Sequence, residues 1–430
     1  MERKMRILVI SYMSWRNDNN SGNTFSNLFE GLEDRAEFAQ IYCRDSRPLN
    51  SVCHRYFHIP EREIMPGKGD INGIGGAFYV ESPQESENEH FSASYDKMRS
   101  MRWNVFYFGR DVLWDFARWK TPQLNAFVED FQPDIVFGNL TNMPIIHKIM
   151  AYVCEKWHVP LAFFCWDDVY LLSKRSVSPF YWLMRRTQRK WIRRNVSRAD
   201  VLYAITREMA QEYDAALGRY FSVLTKGHDF GRRPEYDGPH GLVKYVYAGN
   251  IGAGRWKVLA SLVSVLCKNA NGRAQLYIYT LTPVDDEMRK QLDVPGVSFL
   301  KGAAAPDKLP AIHAAADVLV AVEPTAENDR RQCRLSFSTK LVDYFKAGRC
   351  LLSVGGPTAS TEYLAREDAA IVAHNGEELE RAIAEINLRP ELLREYAQKA
   401  WECGARNHQR HNIQKRLLAD FNAAISDSKR

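Results

Sequence analysis

Residues 335–357 read LSFSTKLVDYFKAGRCLLSVGGP. Within them Lys340 and Asp343 stand three apart in the first turns of a predicted helix. Ser338 fits the cap position, Thr339 follows it, and Leu341, Val342, Tyr344 and Phe345 recur at the spacing of one buried face. Gly348 stops the helix, and residues 350–354, CLLSV, form an apolar run suited to a parallel strand. A helix start offers free N–H groups and a positive dipole end, which suits a diphosphate. Lys340 adds a charge there, and Asp343 can accept hydrogen bonds from a ribose diol. That is a nucleotide site in outline. The same pattern also describes an ordinary amphipathic helix with a solvated lysine.

The elements that would position these residues alternate along the chain. In the first half, RILVISY, FAQIYC, PDIVFGN, PLAFFCW and DVLYAIT read as strands, with YFSVLTKGHDF closing the series. A polar loop with Ser21-Gly22-Asn23 follows the first strand, and a helix through Phe25, Leu28, Phe29 and Leu32 follows that. Residues 60–100, glycine-rich and then acidic, read as a long insertion. A helical stretch runs from about 103 to 131. Residues 231–243 carry two prolines and three glycines and read as a linker. A second series starts at KYVYAGN, and amphipathic helices at 376–387 and 391–425 close it. The expected division is therefore 1–230, the linker, and 244–404, each domain α/β and doubly wound, with a final helix at 405–425 returning to the first. In such a pair a ligand is expected where the carboxyl ends of the strands face a cleft.

Composition narrows the function. The chain has 430 residues, 45% of them hydrophobic, which is enough for two full cores. It contains no apolar run of about 18 residues, so no spanning helix is expected. The N-terminal apolar run is too short for a signal peptide and reads as a buried strand. Eight cysteines form no CxxC or Cys/His cluster, and several, such as Cys165, Cys267 and Cys350, lie in apolar runs. Reduced, buried thiols in a cytoplasmic protein are expected. The sequence holds no GxxxxGK[ST] phosphate loop, no GxSxG turn and no carboxylate pair placed as in hydrolases.

The quoted segments PDIVFGN, ADVLYAITREMAQEY, KYVYAGNIGAGR, AADVLVAVEP, STKLVDYFKAGRCLLSVGGP and HNGEELERAIAEI fall in an order and spacing that resembles the retaining GT-B glycosyltransferases of sequence family 4. The flavour is that of enzymes building bacterial surface polysaccharides, such as lipopolysaccharide or capsule. The resemblance implies sugar transfer from a nucleotide diphosphate donor, expected to be a UDP-sugar, with retention of configuration and no metal or other cofactor. It places the donor in the second domain and the acceptor in the first.

By the same resemblance, the turn Gly249-Asn250-Ile251-Gly252 with Arg255 and Lys257 would stabilise the leaving diphosphate together with Lys340. Ser338, Thr339 and Asp343 would complete the nucleotide contacts. The family's glutamate eight positions before Asp343 falls on Leu335 and is missing; Glu323 or Glu327 could replace it, or both are plain loop acids. Gly22 and Asn23 match a flexible glycine loop after the first strand. Asp167 and Asp168 match a pair that faces the acceptor, although strand neighbours point to opposite sides and do not suggest a metal site. Gly227-His228-Asp229 matches a glycine–acid turn with either a hinge or a ligand role. Taken alone, each turn also fits a plain connection.

The net charge of +6 is local. Residues 171–200 hold nine Lys or Arg, including Lys174, Arg175 and Arg198, against one acid. Arg185, Arg189 and Arg193 form one ridge of a predicted helix, and Arg186, Lys190 and Arg194 the next. With Phe180, Tyr181, Trp182, Trp191 and Ile192 beside them, they fit a peripheral contact with anionic lipid at the inner face of a plasma membrane and a polyprenyl-diphosphate-linked acceptor. A solvated helix with acids elsewhere fits too; nucleic acid lacks any accompanying module. Two further readings stay open at this point: a nucleotide-sugar epimerase, and a non-catalytic binding protein.

Overall fold

The structure is a computed structural model and describes residues 3–17, 20–64, 73–81, 104–172, 176–269 and 272–428. They form two compact units. One runs to Leu224 and takes in the chain again from Ile413; the other spans Thr225–Asn412.

The first unit is built on an eight-stranded sheet. Its strands are β1 (Met5–Ile10), β2 (Ala36–Tyr42), β3 (Arg55–His58), β4 (Gly76–Tyr79), β5 (Ile135–Asn139), β6 (Leu161–Cys165), β7 (Val201–Ala204) and β8 (Ser222–Val223). They lie in the order β4-β3-β2-β1-β5-β6-β7-β8. Only β4 runs antiparallel to its neighbour. Strands of a parallel sheet are covered on both faces and so read as continuous apolar runs. Accordingly β5 and β6 are buried at every position. The helices are α1 (Asn20–Phe29), α2 (Asn104–Phe116), α3 (Pro122–Phe131), α4 (Pro144–Trp157), α5 (Pro179–Arg198) and α6 (Arg207–Leu217).

The second unit carries β9 (Val243–Ala248), β10 (Ala274–Tyr279), β11 (Ser298–Gly302), β12 (Val318–Glu323), β13 (Cys350–Gly355) and β14 (Ile371–Ala373) in the order β11-β10-β9-β12-β13-β14, all parallel. Its helices are α7 (Arg255–Asn269), α8 (Asp286–Leu292), α9 (Leu309–Ala314), α10 (Glu327–Arg330), α11 (Lys340–Ala347), α12 (Ala359–Arg366), α13 (Gly376–Leu388) and α14 (Glu391–Asn407). α11 buries Leu341, Val342, Tyr344 and Phe345, each worth about 1.5–3 kcal/mol. α15 (Arg410–Ser428) leads back to the first unit. There Gln414 Nε2 donates to the carbonyls of Leu28 (3.1 Å) and Glu30 (2.8 Å), and Tyr203 OH donates to Asp420 (2.7 Å).

Several expectations need correction. The Ser21-Gly22-Asn23 loop is part of α1, where Gly22 is buried so close to the Arg16 backbone that a Cβ would strike it. The helix expected at about 103–131 is two helices, because Thr121 caps α3 by accepting from Leu124 N (3.1 Å) and Pro122 opens it. The insertion expected at 60–100 contains β4; its residues 65–72 and 82–100, like 101–103 and Lys174 and Arg175, lie outside the described residues. The helix expected at 391–425 breaks at His408. That ring is buried, with Nδ1 3.0 Å from Lys226 O and Nε2 2.9 Å from Tyr363 OH. Ser338 is not the cap of α11: Thr339 holds that place and makes no side-chain capping bond. Cys267 is exposed on α7, whereas Cys165 and Cys350 are buried.

The basic ridge of α5 is also different from the expectation. Arg185 is buried, 6% exposed, and donates to the carbonyls of Val169 (2.7 Å), Tyr170 (2.9 Å) and Leu172 (2.8 Å). Arg189 Nε donates to Tyr170 O (3.2 Å) and Arg193 Nε to Tyr170 OH (2.6 Å). The ridge Arg185–Arg189–Arg193 therefore bonds to the segment after β6, with Arg185 buried, Arg189 half-buried and Arg193 exposed. Arg194 pairs with Glu155 at 2.7 Å. Arg186 and Lys190 are exposed. No helix among the described residues is long and apolar enough to cross a membrane.

Candidate functional site

In the second sheet the chain leaves β9 in one direction and β12 in the other, so a crevice opens at their carboxyl ends. Gly249, with φ 155°, ends β9; Ala253 (φ 51°) and Gly254 (φ 75°) turn the chain into α7. The first amides of α7 are used within the turn: Arg255 N donates to Gly252 O (3.3 Å), Trp256 N to Ile251 O (3.0 Å) and Lys257 N to Gly254 O (3.1 Å). The turn is held from within. Asn250 Oδ1 accepts from Gly252 N (2.6 Å), Tyr247 OH donates to Asn250 O (2.6 Å), and Gly249 N donates to Tyr279 O (2.9 Å). The amides of Gly249 and Gly252 and the side chain of Asn250 thus build the turn.

Arg255, the first residue of α7, is anchored at the end of β12. Its Nε donates to Val322 O (3.3 Å), and Nη2 lies 3.4 Å from Glu323 Oε2. Glu323 is buried; burial pushes its carboxyl up, while Arg255 and Lys340 pull it down. Lys340 Nζ lies 4.4 Å from the centre of the Tyr247 ring, 3.3 Å from its hydroxyl, and 2.8 Å from where a Gly249 Cβ would stand. A Cβ there would press on that ammonium and make it shift. Burial lowers the Lys340 pKa, partly offset by Tyr344 and Glu323. The structure therefore brings Gly249, Arg255 and Lys340 together around one buried acid. It does not bring Lys257, which lies over the Trp256 ring (5.6 Å) on another side of α7.

Asp343, one turn beyond Lys340, holds the Lys226 ammonium at 2.9 Å from both carboxylate oxygens. Ser338 N donates to Ser360 Oγ (2.9 Å), and Thr339 is exposed. Leu335 is buried in the core. Of the acids considered in its stead, Glu327 is exposed and pairs with Arg331, whereas Glu323 lies in the cluster. Sequence reasoning missed Tyr247, Lys226 and Asp329, whose carboxylate lies against Gly254. The signal for Glu323 was present: it closes an otherwise apolar strand at the point where strand order reverses.

In the first unit Asp167 and Asp168 follow β6. Asp167 is exposed. Asp168 is buried and accepts from Leu171 N (3.0 Å) and Tyr213 OH (3.1 Å), so it shapes the loop. Asn23 is exposed on α1 and accepts from Asn27. Sequence reasoning also missed a buried group near the ends of β1–β3. Tyr12 OH donates to Glu61 (2.6 Å), and Arg110 lies 3.6 Å from Glu61 and donates to Asp111 (3.0 Å). Burial lifts Asp45 nearby to about 6. His228, in the second unit, has Nδ1 3.2 Å from Lys346 Nζ, and burial lowers it to about 4.

No protein-family model matches the sequence, and no curated protein does. Solved structures do match. The crystal structure of Anabaena Alr3699/HepE in complex with UDP-glucose aligns over 97% of this chain and 100% of its own, with TM-score 0.59 and 12% identity. An α,α-trehalose-phosphate synthase (UDP-forming) from Burkholderia vietnamiensis aligns over 100% of both chains, with TM-score 0.58 and 11% identity. A trehalose-6-phosphate protein from E. coli bound with UDP-2-fluoro glucose covers 97% of this chain and 98% of its own, with TM-score 0.58 and 11% identity. The fold is GT-B. Two of these structures hold a UDP-sugar and the third protein is named as UDP-forming; at such identity the likeness extends to the fold of this chain.

Proposed function

We propose that this GT-B protein is a glycosyltransferase of family 4 type that moves a sugar from a UDP-sugar to a glycan or lipid-linked acceptor with retention of configuration. The observation that carries the reading is the placement of Arg255 after the Ala253–Gly254 turn and of Lys340 against Gly249 and Tyr247, at the strand-order reversal of the second sheet. That is where a diphosphate would find two cations. Asp343 supplies the ribose acceptor, and Lys226 accompanies it. The chemistry needs orientation and charge more than a protein nucleophile. The acceptor oxygen bonds to the anomeric carbon as the bond to the diphosphate breaks, and the acceptor proton passes to the departing phosphate oxygen. Asp167, exposed after β6, would orient that hydroxyl. Exposed Trp182 and Leu183 beside Arg186 and Lys190 support a peripheral contact with anionic lipid.

The test is thermal unfolding with UDP, GDP, ADP and dTDP, followed by donor turnover with and without acceptor. UDP at a hundredfold excess over Kd should stabilise by about 2.7 kcal/mol, and the shift should vanish in Asp343→Ala. Absence of any shift in the folded protein would refute the donor site. Conversion of the donor without an acceptor would replace transfer by isomerisation.

A further inference from the structure

The first unit carries a groove of about 660 Å3 between the end of α2, the segment joining it to α3, and the faces of α4 and α5. None of its lining residues stands at the carboxyl end of a strand, so it is not the place where an acceptor meets the donor. Four aromatic residues line it: Trp114 and Trp119, both buried, with Tyr152, whose ring stands 5.5 Å from Trp119 and nearly perpendicular to it, and Trp191. Lys120 lies over both Trp119 (5.3 Å) and Tyr152 (5.0 Å). Lys148 (5.6 Å) and Arg194 (5.0 Å) lie over Trp191.

The charges do not balance. Asp115 pairs with Lys148, and Glu155 is shared by Arg194 and Arg198. Arg118 and Lys120 line the same groove, are exposed, and have no carboxylate partner among the described residues. A volume of this size suits several sugar rings. Aromatic rings pack against the C–H faces of sugars, while carboxylates and cations between them meet hydroxyls. The unmatched cations add a demand for negative charge. Both carboxylates in the wall are already held by cations, so the surplus charge of the groove is that of Arg118 and Lys120.

We propose that this groove binds an acidic oligosaccharide, a stretch of glycan bearing carboxylate or phosphate groups. It would hold a growing acidic polymer between transfers. Binding of the glycan stands on the groove alone; only its holding between transfers rests on the proposed function.

Titration calorimetry of the full chain at low salt with hexagalacturonate, maltohexaose and a hexaglutamate peptide tests it. Hexagalacturonate should bind about tenfold more tightly than the other two, and the affinity should fall with salt. Arg118→Ala/Lys120→Ala and Trp191→Ala should each weaken it about tenfold. The double variant alters exposed residues only, so it decides the matter even if the Trp191 variant unfolds. Failure of hexagalacturonate to bind, unchanged binding by the double variant, or equal binding of hexaglutamate would overturn the proposal.

Discussion

Arg255 and Glu323 face each other at 3.4 Å where the second sheet reverses its strand order. The carboxylate is buried and the guanidinium partly exposed. Removing Arg255 strands the acid, and Arg255→Ala should cost about 2 kcal/mol at neutral pH by urea unfolding. Without Arg255 the folded carboxyl rises further above its unfolded value. The folded state then gains a proton as pH falls, so the deficit should shrink between pH 7 and pH 4. Adding Glu323→Gln should recover most of the loss. A deficit unchanged by pH would show that the two charges are not coupled.

Lys340 keeps an ammonium in a site that lowers its pKa through burial. Lys340→Met retains the stem over the Tyr247 ring and deletes the charge. UDP affinity should drop about tenfold or more, with melting temperature nearly unchanged. In the parent protein the affinity should decline in the alkaline range, at a lower pH than an ordinary lysine would give, because burial lowers the Lys340 pKa. Lys340→Arg should not show that decline if it binds UDP; equal decline in both would assign it to another group.

Arg185 and Arg186 are neighbours in sequence with opposite roles. Arg185→Ala removes bonds to three carbonyls, one buried and two partly buried, and should cost about 3 kcal/mol in unfolding free energy. Arg186→Ala should change stability by less than about 0.5 kcal/mol. Equal effects would contradict the grip of α5 on the segment after β6.

His147 and His408 are buried neutral rings, each lowered to about 4 by burial. Their unfolded pKa lies near 6.5, so the unfolded chain binds more protons below that value. Stability should be full above about pH 6.5 and decline between pH 6.5 and 4. His147→Asn and His408→Asn should each flatten that part of the melting-temperature profile.

Much of the fold was legible because a parallel sheet writes itself as apolar runs: IVFGN, LAFFC and VLVAVE are strands with little room for another reading. Short edge strands such as β4, exposed throughout, and β14, with three residues, carry no such signal, since so few residues give too short a period. The site was legible where a residue type alone limits the chemistry, as for Lys340 and Arg255. It was illegible where pairing decides. Nothing in the sequence joins Lys226 to Asp343 across more than a hundred residues, or turns Asp168 inward to Tyr213. The basic run misled for the same reason: a count of arginines does not say which are already bonded to backbone carbonyls.

The return of the chain in α15 has a consequence for synthesis. Ile413, Leu417, Phe421 and Ala424 are core residues of the first unit, and the Phe421 ring stands 6.0 Å from Phe137. A ribosome makes everything else in that core before it makes these. The unit that begins first therefore finishes last, and until α15 emerges a strip beside Phe137 and Tyr203 faces water. A nascent chain halted before residue 413 should bind a hydrophobic dye and resist protease less in its first unit than in its second.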